Sequence, residues 1–327
     1  PFSTANLPAP TITDPSAHFE TVLYVGDRSP GSGDVTITSL SFQPDLVWIK
    51  NRDQNDNNIV FDSIRGAGNY LYTNDVDTEP TTNLETLKAF TSTGFTVGNY
   101  AETNEYAENF VAYCWKAGGS PATVSGGMIK TSDSSTTDIT RTVNTTAGFS
   151  IIGYTGNGAY STIAHGLDAT PKLIIVKQRN GVSAWKVFHA DLSSDQHYLV
   201  LNETDAQYTF SDNRMWGPDP VAGGTTHIGV GDHIFVNDNT DTYVAYVWAE
   251  IEGYSKFGSV EGNALDEGSF IYLGFKPAWV MCKQIDTTGD WNITDSTRYP
   301  YNPAKFGPWA NLANAETGGN LVDLTAT

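Results

Sequence analysis

The sequence predicts an all-β protein made of tandem antiparallel β-sandwich repeats of jelly-roll type, and three observations predict it. First, a proline, an apolar run and a lysine recur together as Pro44-Asp-Leu-Val-Trp-Ile-Lys50, Pro171-Lys-Leu-Ile-Ile-Val-Lys177 and Pro277-Ala-Trp-Val-Met-Cys-Lys283. Self-similarity on this scale marks a repeat architecture. Second, short continuous apolar runs that begin just after a proline suit strands buried on both faces. Third, 31 Gly and 15 Pro in 327 residues, with only 17% charged residues, give a turn-rich chain poor in the long charged side chains that favour helices.

The elements follow in chain order. Residues 1–18, with prolines at 1, 8, 10 and 15, read as an extended arm without a core of its own, free to lie on a neighbouring subunit. The first repeat spans 19–118. It opens on Leu23-Tyr-Val-Gly-Asp27, contains the Pro44 strand, and closes on Phe110-Val-Ala-Tyr-Cys-Trp115, a run of β-formers bounded by polar segments. Within it, Leu84, Leu87 and Phe90 share one face of a short predicted helix over 83–90, capped by Thr82 or Asn83. Residues 119–146, rich in Gly, Ser and Thr, read as a linker holding at most an edge hairpin. The second repeat, 147–253, opens on Gly153-Tyr-Thr-Gly-Asn157 and closes on Tyr243-Val-Ala-Tyr-Val-Trp248. The third, 254–327, opens on Ser259-Val-Glu-Gly-Asn263 and contains no closing element, so it is expected to be incomplete, with the chain truncated or a neighbour supplying the rest.

Register holds across the copies. Fourteen residues after each proline stand Asn58, Trp185 and Trp291, and eighteen after stand Asp62, His189 and Asp295. Arg65 and Arg298 occupy the twenty-first position as expected ion-pair partners of nearby acids, with Leu192 in the second copy. Lys50, Lys177 and Lys283 end the buried strand in every copy and read as structural, with the charge at the sheet rim. Cys114 and Cys282 fall at apolar strand positions and are expected to be buried free thiols.

Charge and composition exclude several functions. Lys plus Arg number 18 against 37 Asp plus Glu, a net charge of −19, which opposes binding to nucleic acid or anionic lipid through the general field. No apolar stretch approaches the ~18 residues of a membrane span, so no membrane insertion is expected. No charged-then-apolar leader stands at Pro1, so no secretion signal is expected, and a chain opening on proline reads as cut or partly observed.

Candidate chemistry is sparse. Glu250 and Glu252 share a strand face, as paired carboxylates of glycan hydrolases can, but the first copy has no counterpart to either, so they read as a solvated strand end. His189, Asp191, Asp195 and His197 have metal-ligand chemistry, yet the equivalents of His189 are aspartates, which favours a hydrogen-bonding strand end over zinc. His165 reads as a turn cap. The loops with Asp53, Asp56 and Asn57, and with Asn237, Asp238, Asn239 and Asp241, could supply oxygen ligands to Ca²⁺; solubilising loops are the default, and no cofactor is expected. No catalytic motif is present, and the expected protein is not an enzyme. Loop aromatics remain: Trp216, Trp309, Tyr299 and Tyr301 are candidates for contact with a protein partner or a glycan, with Trp291 also near a loop.

Taken together, Phe42-Gln-Pro-Asp-Leu-Val-Trp-Ile-Lys-Asn-Arg52, Phe61-Asp-Ser-Ile-Arg-Gly66, Tyr113-Cys-Trp-Lys-Ala-Gly118, Ala147 to Asn157 and Pro171 to Lys177 resemble a tandem β-domain common in tailed bacteriophages, especially marine ones infecting cyanobacteria. The segments Phe275 to Val280 and Asp295 to Asn302 look like the last repeat of that domain, whose terminal strand is missing here. The resemblance covers the chain from Phe19 onward and implies a virion structural protein: a tail fibre, spike, head fibre or decoration component, assembled in the host cytoplasm with other virion proteins and with copies of itself. It transfers no site residue. The alternatives are a host-glycan-binding adhesin module using the loop aromatics and, behind it, a glycan depolymerase using Glu250 and Glu252.

Overall fold

Strands that are apolar on both faces need a core on each side, and the chain provides two layers of core for them. A computed structural model describes residues 10–28, 33–209, 212–221, 224–265, 268–305, 307–318 and 321–325. The first repeat runs β1 (Phe19–Val25), β2 (Val35–Ile37), β3 (Leu46–Asn51), β4 (Ile59–Asp62), β5 (Tyr70–Tyr72), β6 (Leu87–Thr91), β7 (Gly94–Val97), a one-turn helix α1 (Ala101–Asn104) and β8 (Asn109–Trp115). Strands β9 (Ala122–Lys130) and β10 (Thr136–Asn144) lead into the second repeat. It runs β11 (Phe149–Thr155), β12 (Ser161–Ala164), β13 (Pro171–Gln178), β14 (Lys186–His189), β15 (Leu199–Val200), β16 (His227–Val230), α2 (Ile234–Asn237) and β17 (Thr242–Ala249). The third contributes β18 (Trp279–Cys282), β19 (Asn292–Asp295), β20 (Ala304–Lys305) and β21 (Leu321–Val322). The fold is all-β and its ladders are antiparallel.

The first sheet has the order β1-β8-β3-β4-β5, and the second repeat reproduces it as β11-β17-β13-β14-β15. Register is conserved too: Leu46 faces Trp115 and Trp48 faces Tyr113, as Leu173 faces Trp248 and Ile175 faces Tyr246. Alternate residues then divide between two cores. Leu46, Trp48, Val111 and Tyr113 join Leu173, Ile175, Val244 and Tyr246, and Trp291, Ile293 and Ala310 of the third repeat, in one central cluster. The three repeats therefore pack around a common axis rather than in a row. Val47, Ile49, Phe110, Ala112 and Cys114 face outward onto Leu87, Phe95 and Val97, whose strands form the sheet β2-β7-β6. Ile174, Val176, Ala245 and Val247 face outward onto a separate core containing Met128, Ile163 and Trp216.

Two local expectations give way to this packing. Residues 119–146 supply β9 and β10, which lie inside the second sheet rather than at an edge: β10 pairs with β11 and β9 with β12, giving nine strands in the order β15-β14-β13-β17-β11-β10-β9-β12-β16. Thr136, Thr137, Ile139, Thr140, Thr142 and Val143 suit a pleated surface, which a polar composition hides. The helix expected over 83–90 is replaced by β6, paired with β7. Eight residues are too few to hold a helix against a competing strand partner that buries Leu87 fully.

The third repeat differs from the others. Strand β18 pairs with β19 alone, and no outer layer covers it among the described residues. Its Trp279, Val280 and Met281 are half-buried where their counterparts are buried, and Cys282 is exposed. Both cysteines are free, but only Cys114 is buried as expected. Of the N-terminal arm, residues 1–9 lie outside the described residues. The remainder rests on its own chain: the Thr11 N–H donates to the Glu252 carbonyl at 3.4 Å, Ile12 is buried, and Pro15–Ala17 make a single 3-10 turn.

Candidate functional site

The repeat boundaries hold most of the buried polar chemistry. The Asn58 side chain donates Nδ2–H to the Trp309 carbonyl at 3.0 Å, Trp185 donates Nε1–H to the Tyr72 carbonyl at 2.8 Å, and Trp291 donates Nε1–H to the Val200 carbonyl at 2.9 Å. Acceptors and donors occupy equivalent positions, so the first repeat binds the third, the third the second, and the second the first. The same three residues receive matching support, their backbone N–H groups donating to Asn74, Asn202 and Asn311 Oδ1 at 2.8, 2.9 and 2.8 Å. Each bond satisfies a donor that burial would otherwise penalise.

Next to this ring, two boundaries carry the same ion cluster. Between repeats one and two, Asp62 pairs with Arg65, Tyr246 donates its hydroxyl to Asp62 Oδ2 at 2.7 Å, and Glu79 receives both guanidinium arms of Arg179 at 2.9 Å. Between repeats three and one, Asp295 pairs with Arg298, Tyr113 donates to Asp295 Oδ2 at 3.2 Å, and Glu316 takes Arg298 and Arg52. Burial opposes the Arg65 charge, but Asp62, Tyr246 and Glu79 outweigh it and hold the guanidinium protonated above its usual range. Burial likewise pulls the Glu316 carboxyl upward, yet Arg298, Tyr299 and Arg52 bring it below the ordinary range. Buried charges persist only when paired in this way.

The boundary between repeats two and three is built differently. His189 and Leu192 replace the Asp–Arg pair, Gln207 replaces the glutamate, and Ile285 replaces the second arginine. The backbone alignment stays the same: the Gln207 N–H donates to the Ile285 carbonyl at 2.9 Å, as Glu79 and Glu316 donate to Arg179 and Arg52, each at 2.7 Å. Leu192 and Ile285 enter the central core. All four positions of the charged cluster are thus replaced together by neutral groups.

Two of the three repeated lysines are buried rather than placed at a rim. Lys50 and Lys177 are fully buried, because each sheet end is capped by carbonyls. Lys50 Nζ donates to the carbonyls of Asn51 and Gln54, Lys177 Nζ to those of Gln178 and Val76, and the half-buried Lys283 to those of Gln284 and Thr204. Loss of hydration brings the Lys50 and Lys177 ammonium groups down to about 8.

The other candidates disperse. Glu250 binds Lys256 at 2.7 Å and accepts the Phe257 N–H, while Glu252 meets the arm through its backbone. His189 Nδ1 accepts the Asp191 N–H at 3.1 Å, Asp191 accepts the Ser259 N–H at 3.0 Å, and His197 lies against Gln207. Among the described residues no three His, Cys, Asp or Glu side chains converge as metal ligands. Asp53 accepts from Asn109, Asp56 from Asn51, and Asp241 from Gln178 and Asn180, so these acids tie loops together. His165 Nδ1 accepts the Leu167 N–H and caps its turn.

The four aromatic candidates are not brought together. Trp216 is 0% exposed, with its indole N–H donated to the His197 carbonyl at 3.1 Å and its ring against Phe188, because the second repeat's outer core extends under that loop. Trp309 is half-buried, donating Nε1–H to Asn292 Oδ1 while its carbonyl serves the ring. Trp291 is buried in the central core. Tyr301 is 84% exposed, and Tyr299 lines an open groove of about 470 Å³ with Arg52, Asp53, Asn109, Lys305 and Glu316. Tyr299 donates its hydroxyl to Glu316 Oε1, and burial followed by that bond pushes its own ionisation up to about 12. The sequence reading did not single out Lys305, Asn109 or Glu316 for this groove. The detectable signal was the shared arginine eight residues past two of the prolines, Arg52 and Arg179.

A family model described as a domain of unknown function (DUF7483) matches residues 14–327. No curated protein and no solved structure matches the chain.

Proposed function

Since the chain belongs to the DUF7483 domain family, we propose, on its architecture and its sequence resemblance, that it is a structural component of a bacteriophage particle. In this reading it is a fibre, spike or decoration protein acting in assembly and contact with the host surface, among other virion proteins and copies of itself. The observation that carries this reading is the shared central core, which joins Trp48, Tyr246 and Trp291 from three repeats. The buried charges Asp62, Arg65, Asp295 and Arg298 are bound across repeat boundaries, where they add cohesion rather than reactivity. Such an arrangement suits a part that bears load on a particle.

The test is electron microscopy of intact particles labelled with an antibody against residues 147–253. Label at tail or fibre tips supports host attachment, and label over the capsid supports a decoration or head-fibre role. Absence from purified particles overturns the proposal.

The groove beside Tyr299 favours a second reading, a glycan-binding adhesin module. An aromatic face beside Arg52, Asn109 and Lys305 offers stacking and hydrogen-bond donors together, as sugar rings require. Binding to host surface polysaccharide that is lost in Lys305→Ala and Tyr299→Ala supports it; unchanged binding in both variants removes it.

A further inference from the structure

We propose that Arg141 and His227 of the second repeat form a binding site for an oxyanion with three free oxygens, a sulfate or phosphate group. The inference stands apart from the virion reading and from the groove at Tyr299.

Arg141 is the exception among the arginines. Of the seven in the chain, six pair with a carboxylate, as Arg214 does with Asp232. Acids outnumber bases 37 to 18, yet Arg141 makes no ion pair among the described residues. Asp168, in the turn that follows β12, favours its charge only from a distance.

The guanidinium is nonetheless fixed. Arg141, on β10, donates Nη1–H to the Ala164 carbonyl at 3.0 Å. Its planar group also lies against the backbone of Gly166, which has a φ of +72° and no side chain to block the approach; a Cβ there would stand 2.5 Å from Arg141 Cζ. That leaves most of the guanidinium N–H donors without a protein acceptor. A fork held in place by backbone, with its remaining donors unclaimed, is prearranged to take two oxygens of an anion.

His227 supplies the next donor. It faces Ala164 across the β12–β16 ladder, beside the carbonyl that holds Arg141. Its Nδ1 meets Thr226 Oγ1 at 2.9 Å, so Nε2 is the ring atom that remains for a ligand. Two oxygens match the arginine fork and a third matches His227, which a sulfate or phosphate group provides and a carboxylate does not. His165 is fully buried and caps its turn, so it backs the site rather than joining it. The net charge of −19 opposes anions, but that field is screened beyond about 8 Å at physiological salt, and the local donors decide. The first copy has no such arrangement: Thr38 and Ser39 stand at the places of His165 and Gly166.

The test uses the full chain with nitrogen-15 in its arginine and histidine side chains, titrated with sodium sulfate and with sodium chloride at equal ionic strength. Sulfate should move the Arg141 Nε–H and His227 ring signals to saturation, and chloride should not. Burial and the Arg141 charge hold the His227 ionisation down, so bound sulfate should also raise the pH at which that ring titrates. Arg141→Lys keeps the charge without the fork and should weaken sulfate binding, read at His227, by about tenfold. Acetate should bind more weakly than sulfate, and His227→Ala, read at Arg141, should remove that preference. Methyl sulfate separates the sources: binding like that of sulfate supports an ester carried on a larger molecule, and binding of sulfate alone supports a free ion. No saturable shift with sulfate, equal binding of acetate by the parent, or undiminished binding in Arg141→Lys would overturn the proposal.

Discussion

Tyr246 of the second repeat donates its hydroxyl to Asp62 of the first at 2.7 Å, inside a buried cluster. The bond gives a buried carboxylate a second donor beside Arg65, and Tyr113 repeats the contact on Asp295 at the longer distance of 3.2 Å. Removing the Tyr246 hydroxyl as Tyr246→Phe should cost about 1.5–3 kcal/mol, the range for hydrogen bonds to charged groups. Tyr113→Phe should cost less. Urea denaturation of the two variants checks both the size and the order.

The neutral boundary suggests how the charged ones could be rebuilt. Arg65→Leu alone leaves Asp62 buried without its cation, while Glu79 keeps Arg179, and should destabilise by about 3–5 kcal/mol. Combining it with Asp62→His, Glu79→Gln and Arg179→Ile installs the set seen at His189, Leu192, Gln207 and Ile285 and should recover most of that loss. Comparing the single and quadruple variants by denaturation tests whether the four positions act as a unit.

The buried lysines set a pH dependence with a definite sign. In the unfolded chain Lys50 and Lys177 hold their protons up to about 10.5, while in the fold they release them near 8. Between those values the unfolded state binds more protons, so stability should rise with pH, by at most about 1.4 kcal/mol per pH unit for each lysine. The rise ends above pH 10. There the buried phenols Tyr113 and Tyr246, whose ionisation burial pushes far upward, favour the unfolded state as it deprotonates. Lys50→Met should flatten the slope from pH 8 to 10, measured as denaturation midpoints across that range.

Two of the aromatic candidates should respond oppositely to truncation. Trp216→Ala removes a fully buried indole and should cost about 3–5 kcal/mol. Tyr301→Ala, at an exposed tip, should change stability by less than about 0.5 kcal/mol. Thermal unfolding separates them, and a marginal loss for Trp216→Ala would contradict its place in the outer core.

The sequence is most legible where one physical demand dominates. Leu46 to Ile49 and Leu173 to Val176 read as two-sided strands because each residue meets a core, and the fixed spacing to Asp62 and Arg65 exposes their pairing. It is least legible where distant parts decide the outcome. The polar strands at 122–130 and 136–144 take their place from β11 and β12, β6 from β7, and the burial of Lys177 from the Val76 carbonyl. Trp216 shows the same limit, since a tryptophan in a Gly- and Pro-containing loop does not reveal that a core lies beneath it. The groove at Tyr299 joins residues from the first and third repeats, so only closure of the repeats about one axis brings Arg52 to Glu316.

That closure is tested most directly by following unfolding in the Trp291→Ala variant, which breaks the contact of the third repeat on the Val200 carbonyl of the second. The measurement is hydrogen exchange across all three repeats during denaturation of parent and variant. The account predicts one cooperative transition in the parent, and in the variant a loss of stability shared by β3, β13 and β19. Three independent transitions in the parent, or a loss confined to the third repeat, would contradict a common core.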